Sequence, residues 1–371
     1  MTKFCNAKNQ EKVFLLGQEQ AASCCKSFPI AVNRPIKELL SHWENEHQLL
    51  AQGIEVESCE PCWRDERLGK ESMRQQNASK PIDHKIEISV SNLCNHMCSY
   101  CSPKFSSEWE KSVTQFGVFE KVSQTAQKNL QISATSMRID ENFDQIVDYI
   151  NSQEDNNVTL GLLGGEPLMQ QQSISKVFGI NPNKIAKLSI TTNLNPPTNK
   201  FLLLLIDQYQ PSGKLHLHVS IDATPSFNHV PRSGFDQQRF LGNLELLHKN
   251  GVKFDFMPVA NALAVFDLHN FVPWMQSQNI PYNFNPLSNP GALFINRLPT
   301  SIRQQILAMN QNNILPDHLI WDLTAPEQPK VLMYEQYQYL TQYFERTKLD
   351  ISSVNNGLFL EWWEKLSYES K

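Results

Sequence analysis

The segment SNLCNHMCSYC, residues 91–101, sets Cys94, Cys98 and Cys101 at a Cys-x3-Cys-x2-Cys spacing. Thiolates are soft ligands that suit iron–sulfur clusters and zinc. A structural zinc site is closed by four protein ligands. Three cysteines on a cubane cluster leave one iron without a protein ligand, and an open position is what a reactive metal site needs. Iron–sulfur clusters also deliver single electrons at low potential. A zinc knuckle, with His96 as an extra ligand, is the alternative reading of the same spacing.

Five further cysteines precede this loop: Cys5, the Cys24–Cys25 pair, and Cys59-x2-Cys62. All eight cysteines of the 371-residue chain lie at or before position 101. A secreted disulfide scaffold would be short and would carry a leader. The N-terminus, MTKFCNAKNQ, has no charged head followed by an apolar segment. A cytoplasmic protein is therefore expected, and its crowded cysteines read as metal ligands. The net charge of −5 and the lack of a long basic block give no nucleic-acid footprint. The longest apolar stretch, near Phe201–Ile206, is far too short to span a membrane.

The elements that must hold these residues show in the hydrophobic pattern. Residues 1–82 read as irregular and cysteine-rich, with one helix at PIKELLSHWENEHQLLAQG. From Lys85 strands and helices alternate. KIEISVS, NVTLGLLGG, KLSITTN, LHLHVSID, KFDFMPVAN and PYNFNPL read as strands, with helices such as ENFDQIVDYINSQ and NKFLLLLIDQYQ between them. Six such units imply a parallel sheet with right-handed crossovers, too few for a closed eight-stranded barrel. Functional residues are expected at the C-terminal ends of the strands. The expected organisation is α/β: an N-terminal cysteine-rich domain (1–82), a partial (β/α)6 barrel (83–298) and a C-terminal helical extension (299–371).

The second strand ends in Gly164-Gly165-Glu166-Pro167, where glycines would let the backbone approach a ligand closely. The third ends at Asn193. The fourth ends in Ser220-Ile221-Asp222, whose outer residues share a face, and Arg232-Ser233-Gly234 follows. Asn261 ends the fifth. His216 and His218 share parity with Ser220, and hydrogen-bonded core roles are expected for them.

The cysteine spacing, with Tyr100 just before the last cysteine and after the first strand of a βα series, resembles the radical S-adenosylmethionine (SAM) superfamily. Gly164–Pro167 resembles its GGEP motif, and Ser220-x-Asp222 with Arg232-x-Gly234 resembles its downstream motifs. The resemblance implies a four-iron cluster whose open iron takes the amino and carboxylate groups of SAM. Electron transfer then yields a 5′-deoxyadenosyl radical that abstracts hydrogen from substrate. It implies that Gly164, Gly165, Glu166 and Pro167 receive the SAM amino group, that Ser220 contacts the ribose and that Arg232 meets the carboxylate. Tyr100, Asn193, Asp222 and Asn261 are further candidates for the SAM site. The loop PLSNPGALFINRLP, after the sixth strand, is expected near the adenine.

The N-terminal cysteines, the turn at Gly17 and the segment from Cys62 through Arg74 resemble the twitch form of the SPASM auxiliary domain, placed ahead of the barrel. That resemblance implies a second four-iron cluster on four of Cys5, Cys24, Cys25, Cys59 and Cys62, with one of Cys24 and Cys25 spare. A zinc site in the same fold is the alternative.

Twitch and SPASM proteins mostly modify peptides, by crosslinking, epimerisation, oxidation or excision. The expected function is therefore a radical SAM enzyme acting on a precursor peptide or protein. A flavodoxin or ferredoxin type donor would supply its electron. With cysteine ligands starting at Cys5, no leader-binding domain is expected, so recognition would fall to the C-terminal helices, the edge of the auxiliary domain or a separate protein. Tyr334, Tyr337, Tyr339, Tyr343, Phe344, Trp362 and Trp363 are the candidates for such a surface, and packing on the barrel is the expected role of most of them. A radical SAM enzyme on a small molecule or RNA, and a non-catalytic iron–sulfur or zinc protein, are the alternatives.

Overall fold

The computed structural model describes residues 5–32, 35–78, 84–132, 138–154 and 157–369. The expected boundary between residues 82 and 83 lies outside the described residues. In chain order the strands are β1 (Glu11–Leu15), β2 (Gln20–Ala22), β3 (Ile30–Ala31), β4 (His84–Ser89), β5 (Met97–Cys98), β6 (Val158–Leu163), β7 (Ile185–Thr192), β8 (Leu215–Val219), β9 (Arg232–Ser233), β10 (Lys253–Phe256), β11 (Val259–Ala260) and β12 (Asn285–Pro286). The chain divides into two compact units. One comprises Met1–Asn92, Ala134–Thr191 and Lys200–His216, the other Leu93–Ser133, Thr192–Asn199 and Leu217–Lys371.

In the first unit the strands run side by side in the order β7, β6, β4, β1, β2, β3. The neighbours β7–β6 and β6–β4 are parallel, as the alternation of strands and helices predicts, and β1, from the stretch expected to be irregular, adds a third parallel pair with β4. Ile86, Ile88, Val158, Leu160, Leu162, Leu188 and Ile190 are buried. The near-continuous apolar run of β6 is the mark of a parallel strand covered on both faces. Helix Ile139–Ser152 buries Phe143, Ile146 and Ile150, spaced three and four apart on one face.

The cysteine-rich stretch is more regular than its composition indicates. EKVFL alternates half-buried and buried residues and pairs with β4 from Glu11–Lys85 to Leu15–Ser89. β1 and β2 form an antiparallel hairpin around Gly17. A Cβ at Gly17 would stand 3.1 Å from Ser91 Cα and 3.2 Å from the Val90 carbonyl oxygen, so a side chain here would crowd that backbone. Helix Ile36–Ala51 follows, and its Trp43 meets Phe14 of β1 with ring centroids 6.0 Å apart.

In the second unit, helix Ser107–Phe116 follows the cysteine loop, capped by the Ser106 hydroxyl, which accepts from the Trp109 N–H at 3.2 Å. Sequence periodicity did not single this helix out. The C-terminal segment carries helices Thr300–Met309, Asp317–Thr324, Lys330–Thr347 and Gly357–Glu369. Arg303 is fully buried there, and its guanidinium donates to the carbonyls of Leu298, Leu323 and Ala325. Trp362 is also fully buried, with its ring 5.0 Å from that of Phe266 and 5.7 Å from that of Phe359. Among the described residues, no helix is long and apolar enough to cross a membrane.

Trp362→Ala should therefore cost about 3–5 kcal/mol through lost burial and a residual cavity. Denaturant unfolding should show this as a lower midpoint. A midpoint within error of the parent would contradict the packing described.

Candidate metal centre

The cysteine loop is held by side chains that address its backbone. Ser107 Oγ accepts from the Cys94 N–H at 3.1 Å and donates to the Cys94 carbonyl at 3.0 Å. Ser106 Oγ donates to the His96 carbonyl at 2.6 Å. Trp109 Nε1 donates to the Cys98 carbonyl at 2.8 Å, and the Cys101 N–H closes a turn onto the same oxygen at 3.0 Å. Tyr343 OH donates to the Met97 carbonyl at 2.9 Å, and Tyr339 OH to that of Ser99 at 2.8 Å. Strands β5 and β9 pair antiparallel, setting Cys98 opposite Arg232. Gly234 has φ +91°, and a Cβ there would lie 2.4 Å from the Asn95 carbonyl oxygen. Only glycine fits that approach.

Cys94 and Cys98 are buried and Cys101 is partly so. N–H donors face two of the sulfurs. The backbone N–H of His96 reaches Cys94 Sγ at 3.4 Å, with Asn193 Nδ2 4.0 Å from the same sulfur. Arg232 Nη1 is 3.7 Å from Cys98 Sγ. Burial raises the Cys98 thiol, and the Arg232 charge draws it partly back. Burial also pushes Cys101 up to about 12, with the Cys98 charge adding to it. Three soft sulfurs, poorly solvated as anions and two of them met by N–H donors, form a set that a bound metal cluster would satisfy.

Arg232 and Asp222 form the electrostatic centre of the loop. Asp222 is 2% exposed and Arg232 5%. Nε of Arg232 donates to Asp222 Oδ2 at 2.8 Å, and Tyr100 OH donates to the same oxygen at 2.7 Å. Arg232 Nη2 also contacts Tyr100 OH, with the guanidinium 5.5 Å from the centre of the phenol ring. Asp222 Oδ1 accepts from the Val259 N–H at 2.9 Å. Asn261 Nδ2 donates to the Val259 carbonyl at 2.9 Å while its Oδ1 caps Leu263 and Ala264, each at 3.0 Å. Tyr100, Asp222, Arg232 and Asn261, four of the sequence candidates, are thus linked through one set of hydrogen bonds beside Cys98.

The remaining candidates fall as follows. Asn193 donates to Asn95 Oδ1 at 3.0 Å and accepts from the Asn195 N–H at 2.8 Å. Ser220 is half-buried, and its N–H bonds the Thr192 carbonyl at 2.8 Å. His96 is a core residue. Burial, with Arg232 adding to it, pushes its imidazole down to about 3, and Nε2 lies 3.4 Å from Asn195 Oδ1. His218 Nδ1 bonds Asp255 at 2.8 Å. Tyr339, Tyr343, Phe344 and Trp362 are buried and not available as a peptide-gripping surface, whereas Tyr334 is 38% exposed. A cavity of about 360 Å³ opens beside Cys101, lined by Tyr100, Phe105, Leu130, Tyr339 and the Ser288–Pro290 segment of the loop expected near the adenine.

In the first unit, Gly164 and Gly165 both have positive φ, +78° and +58°. A Cβ at Gly164 would fall 1.8 Å from Ser89 Oγ, so β4 and this turn exclude any side chain there. Glu166 is fully buried and accepts from the Leu168 N–H at 3.0 Å, while Pro167 opens a short 3-10 turn. The Gly164 carbonyl accepts from Gln170 at 3.1 Å.

The N-terminal cysteines also lie in the first unit. Cys5, Cys24, Cys59 and Cys62 are buried and Cys25 is exposed. Burial raises the Cys5 thiol, with Cys24 and Cys62 adding to it and the backbone N–H groups of Lys8 and Ala7 drawing it back. Burial pushes Cys59 up to about 11, with Cys24, Cys5 and Cys62 contributing and Lys8 opposing. These four thiols therefore act on one another. The Cys25 sulfur instead lies 3.7 Å from that of Met73. The Cys62 end is fixed by Glu66, which takes Arg74 bidentately at 2.9 and 2.7 Å and Ser72 Oγ at 2.5 Å, while Arg74 also covers the Trp63 ring.

Residues 88–262 match the model of the radical SAM superfamily. This stretch is a radical SAM domain. No curated protein matches the chain. Among solved structures, the chain is similar to anSMEcpe with bound AdoMet, at 16% identity and TM-score 0.42, over 61% of this chain and 60% of that one. It is also similar to Streptococcus suis SuiB bound to the precursor peptide SuiA, at 15% identity and TM-score 0.40, over 78% of this chain and 65% of SuiB. SuiB bound to S-adenosylmethionine matches at 15% identity and TM-score 0.41, over 79% and 65%. The chain spans less than two thirds of the length of each. The radical SAM domain contains Cys94, Cys98, Cys101 and the Gly164–Pro167 turn, and the five N-terminal cysteines lie outside it.

Arg232→Met removes the partner of a buried carboxylate, and breaking such a pair costs about 3–5 kcal/mol. Tyr100→Phe deletes one neutral donor and should cost about 1–3 kcal/mol. Chemical denaturation should rank them in that order, and the reverse order would contradict the central place given to Arg232. Gly234→Ala should leave the fold but displace the Asn95 segment, halving or worse the iron taken up at the Cys94 loop. Full iron uptake by that variant would show that the close approach is not required.

Proposed function

We propose that the protein is a radical SAM enzyme that modifies a peptide or protein. Cys94, Cys98 and Cys101 hold a four-iron cluster with one open iron, and a second cluster sits on Cys5, Cys24, Cys59 and Cys62. The observation that carries this reading is the three-cysteine loop inside a radical SAM domain, with N–H donors facing its sulfurs and a cavity beside Cys101. When bound, the first cluster supplies one electron that cleaves the sulfonium of SAM to a 5′-deoxyadenosyl radical, which abstracts hydrogen from substrate.

The chain's own residues position these groups. Gly164 and Gly165 would present backbone to the SAM amino group: both have positive φ, and Ser89 leaves no room for a side chain at Gly164. Arg232 holds Asp222 and Tyr100 and approaches Cys98 Sγ directly, and its guanidinium would suit the SAM carboxylate. Ser220, Asn193 and Asn261 are read as the polar rim for the ribose and its surroundings. The cavity beside Cys101 falls within the size range of pockets that take a drug-sized ligand, roughly 300–1,000 Å³, so it suits SAM or the reacting residue of a substrate. Tyr339 and Tyr343 close the loop from the C-terminal helix.

The burial of Cys24, against the exposure of Cys25, supports Cys24 as the fourth ligand of the second cluster. A second cluster would let the enzyme remove an electron from a substrate radical, giving a net oxidation. Precursor peptide, a separate recognition protein and a flavodoxin or ferredoxin type donor complete the reading.

Anaerobic reconstitution with iron and sulfide should give about eight irons per chain, since each four-iron cluster needs its own cysteine set. Reduction with SAM should release 5′-deoxyadenosine, and peptide substrate should increase it. Cys94→Ala should abolish release. Bound zinc with no 5′-deoxyadenosine would overturn the assignment, and turnover with small molecules but never peptides would overturn the substrate class.

A further inference from the structure

Lys8 is 1% exposed and carries no part of the reading above. It lies in helix Asn6–Gln10, directly after Cys5. Its Nζ donates to Ser23 Oγ at 2.7 Å and to Ser58 Oγ at 2.8 Å, and pairs with Glu46 Oε2 at 2.7 Å. Ser58 Oγ donates in turn to Glu46 Oε1 at 2.8 Å. Ser23 and Ser58 are the residues immediately before Cys24 and Cys59. Through two hydrogen bonds and one ion pair, this ammonium ties together the segments that deliver Cys5, Cys24 and Cys59. The Cys24 side is braced again by Ser27, whose Oγ accepts from the Cys24 N–H at 3.2 Å and donates to its carbonyl at 3.1 Å. An ion pair kept this deep for packing alone is weak evidence of stabilisation, because desolvation offsets most of the attraction. Its place among four buried thiols supplies another reason for it.

We propose that Lys8 is a positioning residue for the N-terminal four-cysteine site, ordering three of the four ligands and setting the reduction potential of the cluster they hold. This rests on the two-cluster reading. One-electron reduction adds a negative charge to the cluster, and a fixed cation beside it in a poorly solvated site favours that state. Glu46 partly offsets the cation, so the two residues act on the potential with opposite sign.

The test uses the full chain with Cys94, Cys98 and Cys101 each changed to Ala, so that only the N-terminal site can load. After anaerobic reconstitution, iron and sulfide are counted, and the midpoint is read by EPR during titration with dithionite. Lys8→Met should make reduction at least about tenfold less favourable, which for one electron is about 59 mV more negative. Glu46→Gln should shift the midpoint the other way. A folded, fully loaded Lys8→Met protein with an unchanged midpoint overturns the proposal. If Lys8→Met does not fold, an unchanged midpoint in Glu46→Gln overturns it equally. Failure of the triple-alanine parent to bind iron would overturn the two-cluster reading itself, a different result from loading with an unmoved potential.

Discussion

A buried carboxylate governs the second unit. Asp222 is buried, and its two oxygens accept from Arg232, Tyr100 and the backbone of Val259. An unpaired charge there would be costly, so Arg232 must follow it inward. Arg232 sits on β9, opposite Cys98 on β5, which fixes where the middle cysteine of the loop can be. Gly234 then lets the chain pass against Asn95, and Tyr339 and Tyr343 bind the loop's outward carbonyls. Little of this loop is held by regular secondary structure, and a buried electrostatic anchor does that work instead.

The first unit uses the same device with different residues. Lys8 and Glu46 form a buried pair among Cys5, Cys24 and Cys59, as Arg232 and Asp222 do beside Cys98. In both places the cation's remaining donors go to groups adjacent to cysteines. Thiols this poorly solvated resist ionisation, and a cation with N–H donors around the sulfurs lowers the cost of the anionic form that a metal requires.

Much of this was legible in the sequence, because period and spacing survive without coordinates. The parallel strands β4, β6 and β7 and the long helices came from periodicity, whereas the two-residue strands β5 and β9 did not. The cysteine loop and the Gly164–Pro167 turn came from spacing, and Ser89 supplies the physical reason for Gly164. Other features were hidden. EKVFL is a five-residue alternation inside a cysteine-rich stretch, too short to announce that it would extend the parallel sheet. Tyr339 and Tyr343 sit in a helix whose pattern reads as packing alone, yet their hydroxyls serve carbonyls some 240 residues earlier in the chain. Cys24 is buried and Cys25 exposed, and adjacent identical residues carry no signal of that. Lys8 looks like an ordinary surface lysine until Ser23, Ser58 and Glu46 are placed around it.

The central claim is that Cys94, Cys98 and Cys101 leave one iron free for the sulfonium nucleotide. EPR of the reduced Cys59→Ala/Cys62→Ala protein, recorded with and without SAM, addresses it most directly. The account predicts a four-iron signal whose g-values change when SAM is added. A spectrum indifferent to SAM, or zinc in place of iron at this loop, would contradict it.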